Sequence, residues 1–278
     1  MATPFFAAYD GVSFPWGTFI RPGGNVVAYV RSTGAQSGDD AFAASGLLVA
    51  TIAAGVARCR PGLNDVVVVL QGHTETVTTT LFTPVAGAQI VGSGFPGGTN
   101  APNVTLSATA ATIALSAANM TIAGLNINSA TAAVVAPIAV TAAGVTIANC
   151  FISFTGALAA NVPILATGAP NFTLANNHIV ANTTTFVVGI AGATSTNVVI
   201  SDNLIRSTST GTVCINIAAT AGISGFISRN IVKTAAASTP ATIITQGAGT
   251  LTTTALTENY GSDDLGGSGV LSPAGTFA

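Results

Sequence analysis

Four charged residues towards the C-terminus have types that could support catalysis: Asp202, Arg206, Arg229 and Lys233. They fall in two segments, "NVVISDNLIRST" and "FISRNIVKT", which repeat one pattern of apolar and polar pairs 27 residues apart. A carboxylate flanked by cations could act as a general base with a charge clamp, as a polysaccharide lyase requires. A row of surface ion pairs between neighbouring repeats explains the alternating charges more simply.

The segment "GHTET" at residues 72–76 offers a second candidate site. His73 and Glu75 are two residues apart, so on a strand they project from one face and could bind a metal or exchange protons. A third ligand is lacking nearby, because His178 lies about four repeats away. Hydrogen bonding at a corner of the fold is therefore the favoured role for this pair.

Charged residues are scarce, since Asp, Glu, Lys and Arg make up 6% of the 278 residues, against about 25% in typical soluble domains. Between Glu75 and Asp202 there are 126 residues with none of them. Enzymes that cleave polysaccharides need paired carboxylates or a Lys, Arg and Asp cluster along the groove. The sequence therefore predicts a protein that is not an enzyme and that binds no metal or cofactor.

Other classes of function are also disfavoured. A net charge of −2 gives no basic surface for nucleic acid or an anionic membrane. The longest apolar run, "GLLVATIAAGVA", has 12 residues, whereas a bilayer span needs about 20. The first residues lack the pattern of a secretory signal, so we expect a protein made in the cytoplasm without Sec export. The widely spaced Cys59, Cys150 and Cys214 predict buried thiols.

A repeat of 26 to 29 residues must position all of these groups. Its marker is an inward-facing apolar residue that recurs at Ile147, Leu174, Ile200, Ile227 and Leu256. Three residues after four of these markers stand Asn177, Asn203, Asn230 and Asn259, with Cys150 at the same place one repeat earlier. Repeats that stack about 4.8 Å apart would let identical Asn side chains form a hydrogen-bonded ladder.

Short β-branched runs fill each repeat, with no helix-period stretch between them. Successive strands without crossover helices predict an all-β parallel β-helix, a solenoid in which stacked inward side chains form the core. We expect it over residues 63–260, with about seven coils.

A capping α-helix is expected ahead of the first coil, at residues 37–62. The segment "SGDDAFAASGLLVATIAAGVARCR" opens with the capping residue types Ser37, Asp39 and Asp40 and ends with Arg58 and Arg60, which suits the helix dipole. The face expected to close the core consists of Phe42, Val49, Ile52 and Val56.

The two ends of the chain differ from the repeat. Residues 1–36 contain several prolines and are expected to form an extended arm whose aromatic side chains bind a protein partner. These anchors are Phe5, Phe6, Tyr9, Phe14, Trp16 and Phe19. The same side chains could instead fold back on the solenoid. Residues 261–278 are rich in Gly and Ser, which favours a flexible or partner-bound tail.

The order "YVRSTGAQSGDDAFAAS", "ARCRPGLNDVVVVLQGHTETV" and then β-helix coils resembles virion structural proteins of tailed bacteriophages, especially those of aquatic hosts. The match covers residues 29–77, with Asn64-Asp65 and Gln71-Gly72 where that family has Gly-Asp and Pro-Gly. The resemblance implies a single-stranded, right-handed parallel β-helix, a homotrimer and a role in the virion. It implies no catalytic residues.

Two hypotheses follow. The first is a capsid decoration or cement protein that binds the major capsid protein on the virion surface, where low charge lets subunits pack without desolvating ions. The alternative is a tailspike-like glycan-binding protein, or a polysaccharide depolymerase that uses the four charged residues around Asp202.

Overall fold

A computed structural model describes residues 8–9, 12–13, 24–32, 43–131, 134–155, 162–183, 185–210, 213–218, 222–235, 244–246, 254–263 and 268–270. These residues form an all-β solenoid with three stacked sheets of mainly parallel strands. A separate antiparallel pair joins Ala8–Tyr9 to Val12–Ser13.

Each coil gives one short strand to each of the three sheets in turn, so neighbours in a sheet come from successive coils. Sheet I consists of Val26–Val30, Leu48–Val49, Val66–Val69, Gln89–Gly92, Thr121–Ala123, Thr146–Ala148, Thr173–Ala175, Val198–Ser201, Gly225–Ser228 and Thr254–Thr257. Sheet II consists of Thr74–Val77, Asn103–Leu106, Asn126–Ser129, Phe151–Phe154, His178–Ala181, Leu204–Thr210, Ile231–Ala235, Tyr260–Asp263 and Ser268–Val270. Sheet III consists of Ile113–Leu115, Ile138–Val140, Ile164–Thr167, Phe186–Ala191, Val213–Ile217 and Ile244–Gln246.

The parallel β-helix expected from the repeat is confirmed as a β-solenoid of about six turns. Sheet III has six strands, which sets the number of coils that contribute to all three sheets. The expected count of about seven coils is not confirmed, because coils at the two ends lack a described strand in this sheet. Short apolar runs separated by Gly, Asn and Ser cannot tell a complete coil from a partial one.

The core is a set of columns in which each inward side chain rests on its register partner. In sheet I, Ile122 pairs with Ile90 below and Ile147 above, and Leu174 and Ile200 continue the column, all of them fully or almost fully buried. Burying one such side chain contributes about 1.5–3 kcal/mol. Equal spacing of the markers along the chain is therefore the condition for an unbroken core.

The N-terminal end differs from the expected arm and helix. Val26–Val30, which the sequence assigned to the arm, is a strand of sheet I between Val66–Val69 and Leu48–Val49. The continuous helix expected over residues 37–62 is not confirmed, because Leu48–Val49 is a strand and the helix after it covers only Ile52–Val56. Alternating apolar residues at this end satisfy a helical and an extended pattern equally, and pairing with Val26–Val30 decides in favour of the strand.

The short helix Ile52–Val56 packs against the inner face of sheet I. Ile52 and Val56 are fully buried in the main core. Thr51 is its N-cap, and its hydroxyl accepts a hydrogen bond from the N–H of Ala54 at 3.1 Å. A Cβ on Gly55 would lie 2.6 Å from Cγ1 of Val67, so only glycine permits this approach of helix and sheet.

At the other end, strands extend into the segment expected to be a tail. Tyr260–Asp263 pairs in parallel with Ile231–Ala235, and Ser268–Val270 then pairs with it in the antiparallel direction. A reversal of strand direction ends the parallel stack on which a further copy of the coil could be added.

An amide ladder connects the coils at the corner between sheets I and II. Nδ2 of Asn177 donates to Oδ1 of Asn203 at 3.0 Å, Asn203 donates in the same way to Asn230 at 2.9 Å, and Asn230 to Asn259 at 2.9 Å. Each Oδ1 also accepts the backbone N–H of the residue one coil below, so Cys150 N donates to Asn177 at 2.9 Å. The ladder thus satisfies buried backbone and side-chain groups together.

We expect Asn203→Ala to lower the free energy of unfolding by about 3 kcal/mol or more, because each buried group left unpaired costs about 1–3 kcal/mol. Asn203 donates to the carbonyls of Leu174 and Ser201 and accepts the N–H of Asn177. Urea unfolding followed by circular dichroism measures the loss. Asn128→Ala is the control, since the partly exposed Asn128 makes one side-chain bond, to Asn103. Equal losses in the two variants would contradict the structural role of the ladder.

Candidate functional site

The chain turns from sheet I to sheet II through one residue per coil in the left-handed backbone region. This corner residue has φ between 51° and 72° and is Gly124, Asn149, Asn176, Asp202, Arg229 or Glu258 in successive coils. Glycine and asparagine adopt this conformation readily, whereas Arg and Glu do so at a cost of about 1–3 kcal/mol. The turn sends the next residue into the ladder and the one after it onto the outer face of sheet II.

Two of the four charged residues meet at this corner. Arg229 donates from Nε and Nη2 to the two oxygens of Asp202, at 2.7 and 2.8 Å. These hydrogen bonds hold the pKa of Asp202 below its usual value, against the opposing effect of burial. An ionised carboxylate that is bound on both oxygens is a structural partner, and it is a poor proton acceptor for a substrate.

The other two charged residues lie in a separate column. Arg206 and Lys233 are register partners in sheet II, four residues beyond the corner. Their charges have the same sign, so the alternating ion-pair row proposed from the sequence exists at the corner but not along the strand. The four residues therefore form an ion pair and a basic pair rather than one cluster.

Between these two columns runs a line of large side chains that the sequence search for charged groups missed. Its members, here called the outer stripe, occupy the first outward position of sheet II in five successive coils. They are Phe151, His178, Leu204, Ile231 and Tyr260. The signal was present in the sequence, because from Asn177 onward each of these residues directly follows a ladder asparagine.

The outer stripe is open to solvent over most of its length. Leu204 is 39% exposed, Ile231 53% and Tyr260 45%. Phe151 and His178 are in edge-to-face contact, with ring centroids 5.0 Å apart and an interplanar angle of 81°. Burial, reinforced by the positive charge of Arg206, lowers the pKa of His178, which favours its neutral ring at neutral pH.

A loop at residues 93–101 bounds the N-terminal end of the outer stripe. The N–H of Gly97 donates to Oδ1 of Asn126 at 2.7 Å, and Gly97 lies beside the ring of Phe151. In the coils below, the equivalent positions are Asn126 and Asn103. The outward column thus changes from polar to large apolar side chains at Phe151.

The pair His73 and Glu75 serves the base of the solenoid. Nε2 of the fully buried His73 lies 3.1 Å from Oε2 of Glu75, and the same oxygen accepts the N–H of Ile52 at 2.8 Å, at the start of the short helix. No cluster of three or more His, Cys, Asp or Glu side chains able to hold a metal ion occurs among the described residues. The two side chains therefore join the helix to the first strand of sheet II.

Asp65 is a second buried carboxylate at the base, and sequence reasoning did not single it out. Its two oxygens accept from Nε, Nη2 and the backbone N–H of Arg60 at 2.8–2.9 Å, and from the N–H of Asn25 at 3.4 Å. The side-chain hydrogen bonds from Arg60 outweigh burial and lower the pKa of Asp65 to about 2. Arg60, expected to complement a helix dipole, instead anchors the entry into the first core strand.

The three cysteines are free and buried. Burial raises the pKa of Cys59, Cys150 and Cys214 to about 12. Thiols in this state do not form the reactive thiolate at neutral pH.

Five of the six expected aromatic anchors, Phe5, Phe6, Phe14, Trp16 and Phe19, lie outside the described residues. Tyr9 is in the two-residue strand Ala8–Tyr9. In the part of the chain that the structure describes, every helix is too short or too polar to cross a bilayer.

Comparisons with known proteins returned no matching family model, curated protein or solved structure. The function of this chain is therefore argued from its own geometry.

Asp65 makes the stability of the base depend on pH. Its pKa is lower in the folded state than the value of about 3.9 in an unfolded chain. The stability that it contributes is therefore fully present above about pH 5 and is lost as the pH falls through about 2, a difference of about 2 kcal/mol.

We expect Asp65→Asn to be less stable than the parent protein at pH 7, and the difference to shrink as the pH is lowered from 6 to 2. Unfolding curves in urea across this range measure both proteins. Asp202→Asn is the matched control, because its carboxylate is partly exposed and its ion pair contributes less. A stability difference at Asp65 that does not change with pH would contradict the assignment.

Proposed function

We propose that this chain is a structural protein of a virion, a capsid decoration or cement protein that binds the capsid surface and stabilises or decorates it. The observation that carries the proposal is the use made of its buried and paired carboxylates. Asp65 anchors a strand, Glu75 binds the start of a helix, and Asp202 holds the next coil through Arg229. Groups with the chemical types of an active site act as fastenings of a rigid scaffold.

The virion setting rests on the resemblance of residues 29–77 to virion structural proteins of tailed phages. Residues of that segment make the base of the solenoid: Arg60 pairs with Asp65, and His73 with Glu75. A motif whose polar residues are spent on internal contacts fits a family that shares an architecture rather than a reaction. In this proposal the solenoid winds right-handed, assembles as a homotrimer and has the major capsid protein as its partner, with no nucleic acid or membrane involved.

The first test is the location of the chain on intact particles. Gold-labelled antibody against this protein, applied to particles purified from a lysate of the encoding organism's host, should decorate the heads. Particles lacking the protein are the control for the antibody. Label confined to tails would overturn the decoration role and favour the tail-associated alternative.

The second test addresses the arm. We expect deletion of residues 1–22 to leave a folded solenoid that no longer binds particles, because the aromatic anchors supply the contact. The deletion must end before Asn25, whose N–H binds Asp65, and before the strand Val26–Val30. Cosedimentation with particles measures binding, and the full-length variant Trp16→Ala with Phe19→Ala separates lost anchors from lost length. Unchanged binding by the deletion would remove the arm from the proposal.

A third test separates the depolymerase alternative. We expect Asp202→Ala combined with Arg229→Ala to change the free energy of unfolding by about 1 kcal/mol or less, since exposed ion pairs contribute little. No release of reducing ends from polysaccharides is expected from either the parent protein or the variant. Release by the parent protein that the double substitution abolishes would establish an enzyme at this corner and contradict the proposal.

A further inference from the structure

The outer stripe departs from the pattern of a solvent-facing sheet. An outward column next to water is normally polar, because alternation places apolar residues in the core. Here five successive coils present large side chains, and the three C-terminal members are 39–53% exposed. A contiguous line of this kind marks a binding surface.

The shape of the stripe limits what can occupy it. It offers one side chain per coil at a rise of about 4.8 Å, so its five members span roughly 19 Å in a single file. A stable protein partner needs about 800 Å² of contact on each side, far more than one column provides. An extended peptide repeats its side chains on one face about every 6.7 Å and loses register with the coils. An extended chain of sugar rings advances by close to one coil per ring.

The charges beside the stripe specify the polarity of the ligand. Arg206 and Lys233 lie on register-paired positions next to Leu204 and Ile231. Like charges directly opposite each other in a sheet reduce stability, which an anionic ligand between them would reverse. On the other side of the stripe, Asp202 is neutralised by Arg229.

We propose that the outer stripe and the pair Arg206 and Lys233 bind an acidic polysaccharide. Its rings stack on the faces of the stripe side chains, and its carboxylate or sulfate groups bind the two cations. The neutral ring of His178, held edge-to-face with Phe151, extends the apolar track toward the loop at residues 93–101. This binding goes beyond capsid decoration and does not depend on it.

Affinity electrophoresis and titration calorimetry test the proposal with three probes: alginate as a carboxylated chain, dextran sulfate as a sulfated chain and dextran as a neutral chain. We expect binding to at least one acidic probe and none to dextran. Ile231→Ser and Tyr260→Ser should each weaken binding about tenfold, the loss of one stacking contact of about 1.4 kcal/mol. Arg206→Gln with Lys233→Gln should abolish binding at moderate salt, whereas Arg206→Lys should largely preserve it.

The matched control is Phe226→Ser, which removes an aromatic side chain that is 58% exposed on sheet I, away from the stripe. It should leave binding unchanged. All of the substituted side chains are partly or largely exposed, and circular dichroism with thermal unfolding verifies that each variant is folded.

Several outcomes would overturn the proposal. They are equal binding to dextran and the acidic probes, folded stripe variants that bind as well as the parent protein, and an equal loss in Phe226→Ser. Sedimentation velocity covers the remaining occupant: if Ile231→Ser or Tyr260→Ser dissociates an oligomer while polysaccharide binding is absent, the stripe is a contact between copies of this chain.

Discussion

The satisfaction of buried backbone groups at the corner between sheets I and II is the constraint on which this fold depends. A chain that turns there once per coil buries N–H and C=O groups that no sheet can pair. The side chains of Asn177, Asn203, Asn230 and Asn259 are buried and supply both the donors and the acceptors. Because each amide bonds to the coil above and below, a shift of one residue in any coil would leave groups unpaired in two others. The ladder therefore fixes the register of the solenoid as well as contributing to its stability.

Register at the corner determines what the surface presents. The inward isoleucine column comes three residues before the ladder, and the outer stripe comes one residue after it. A sequence position in the repeat thus becomes a straight line on the molecule, at the pitch of the stacked strands. Any residue type that recurs after the asparagine forms a surface whose period is set by the backbone. The stripe and the ladder are consequently two products of one repeat, the first exposed and the second buried.

The repeat made the central fold predictable and the ends unpredictable. The spacing from Ile147 to Leu256 requires stacked parallel strands, because no other arrangement buries all five markers at equal intervals. At the base, Leu48–Val49 and Val26–Val30 become strands through pairing with distant residues, which local patterns do not encode. The pairing of Asp65 with Arg60 was missed for the same reason, since a dipole role for Arg60 and an ion pair look alike in sequence. The stripe was visible in the sequence but was passed over, because attention to charged groups hid a column defined by size.

Scarcity of charge gives each charged residue in this chain more weight than it would carry on an ordinary surface. With 126 consecutive residues free of Asp, Glu, Lys and Arg, the ionic groups lie in two regions along the solenoid axis. Those at the base bind one another or the backbone, and so build the end that holds the first coils together. Those from Asp202 to Lys233 lie on the outer face, on both sides of an apolar line. A scaffold that omits charge where it would only solubilise, and keeps it beside an exposed stripe, has one end suited to anchoring and one suited to contact with an anionic ligand.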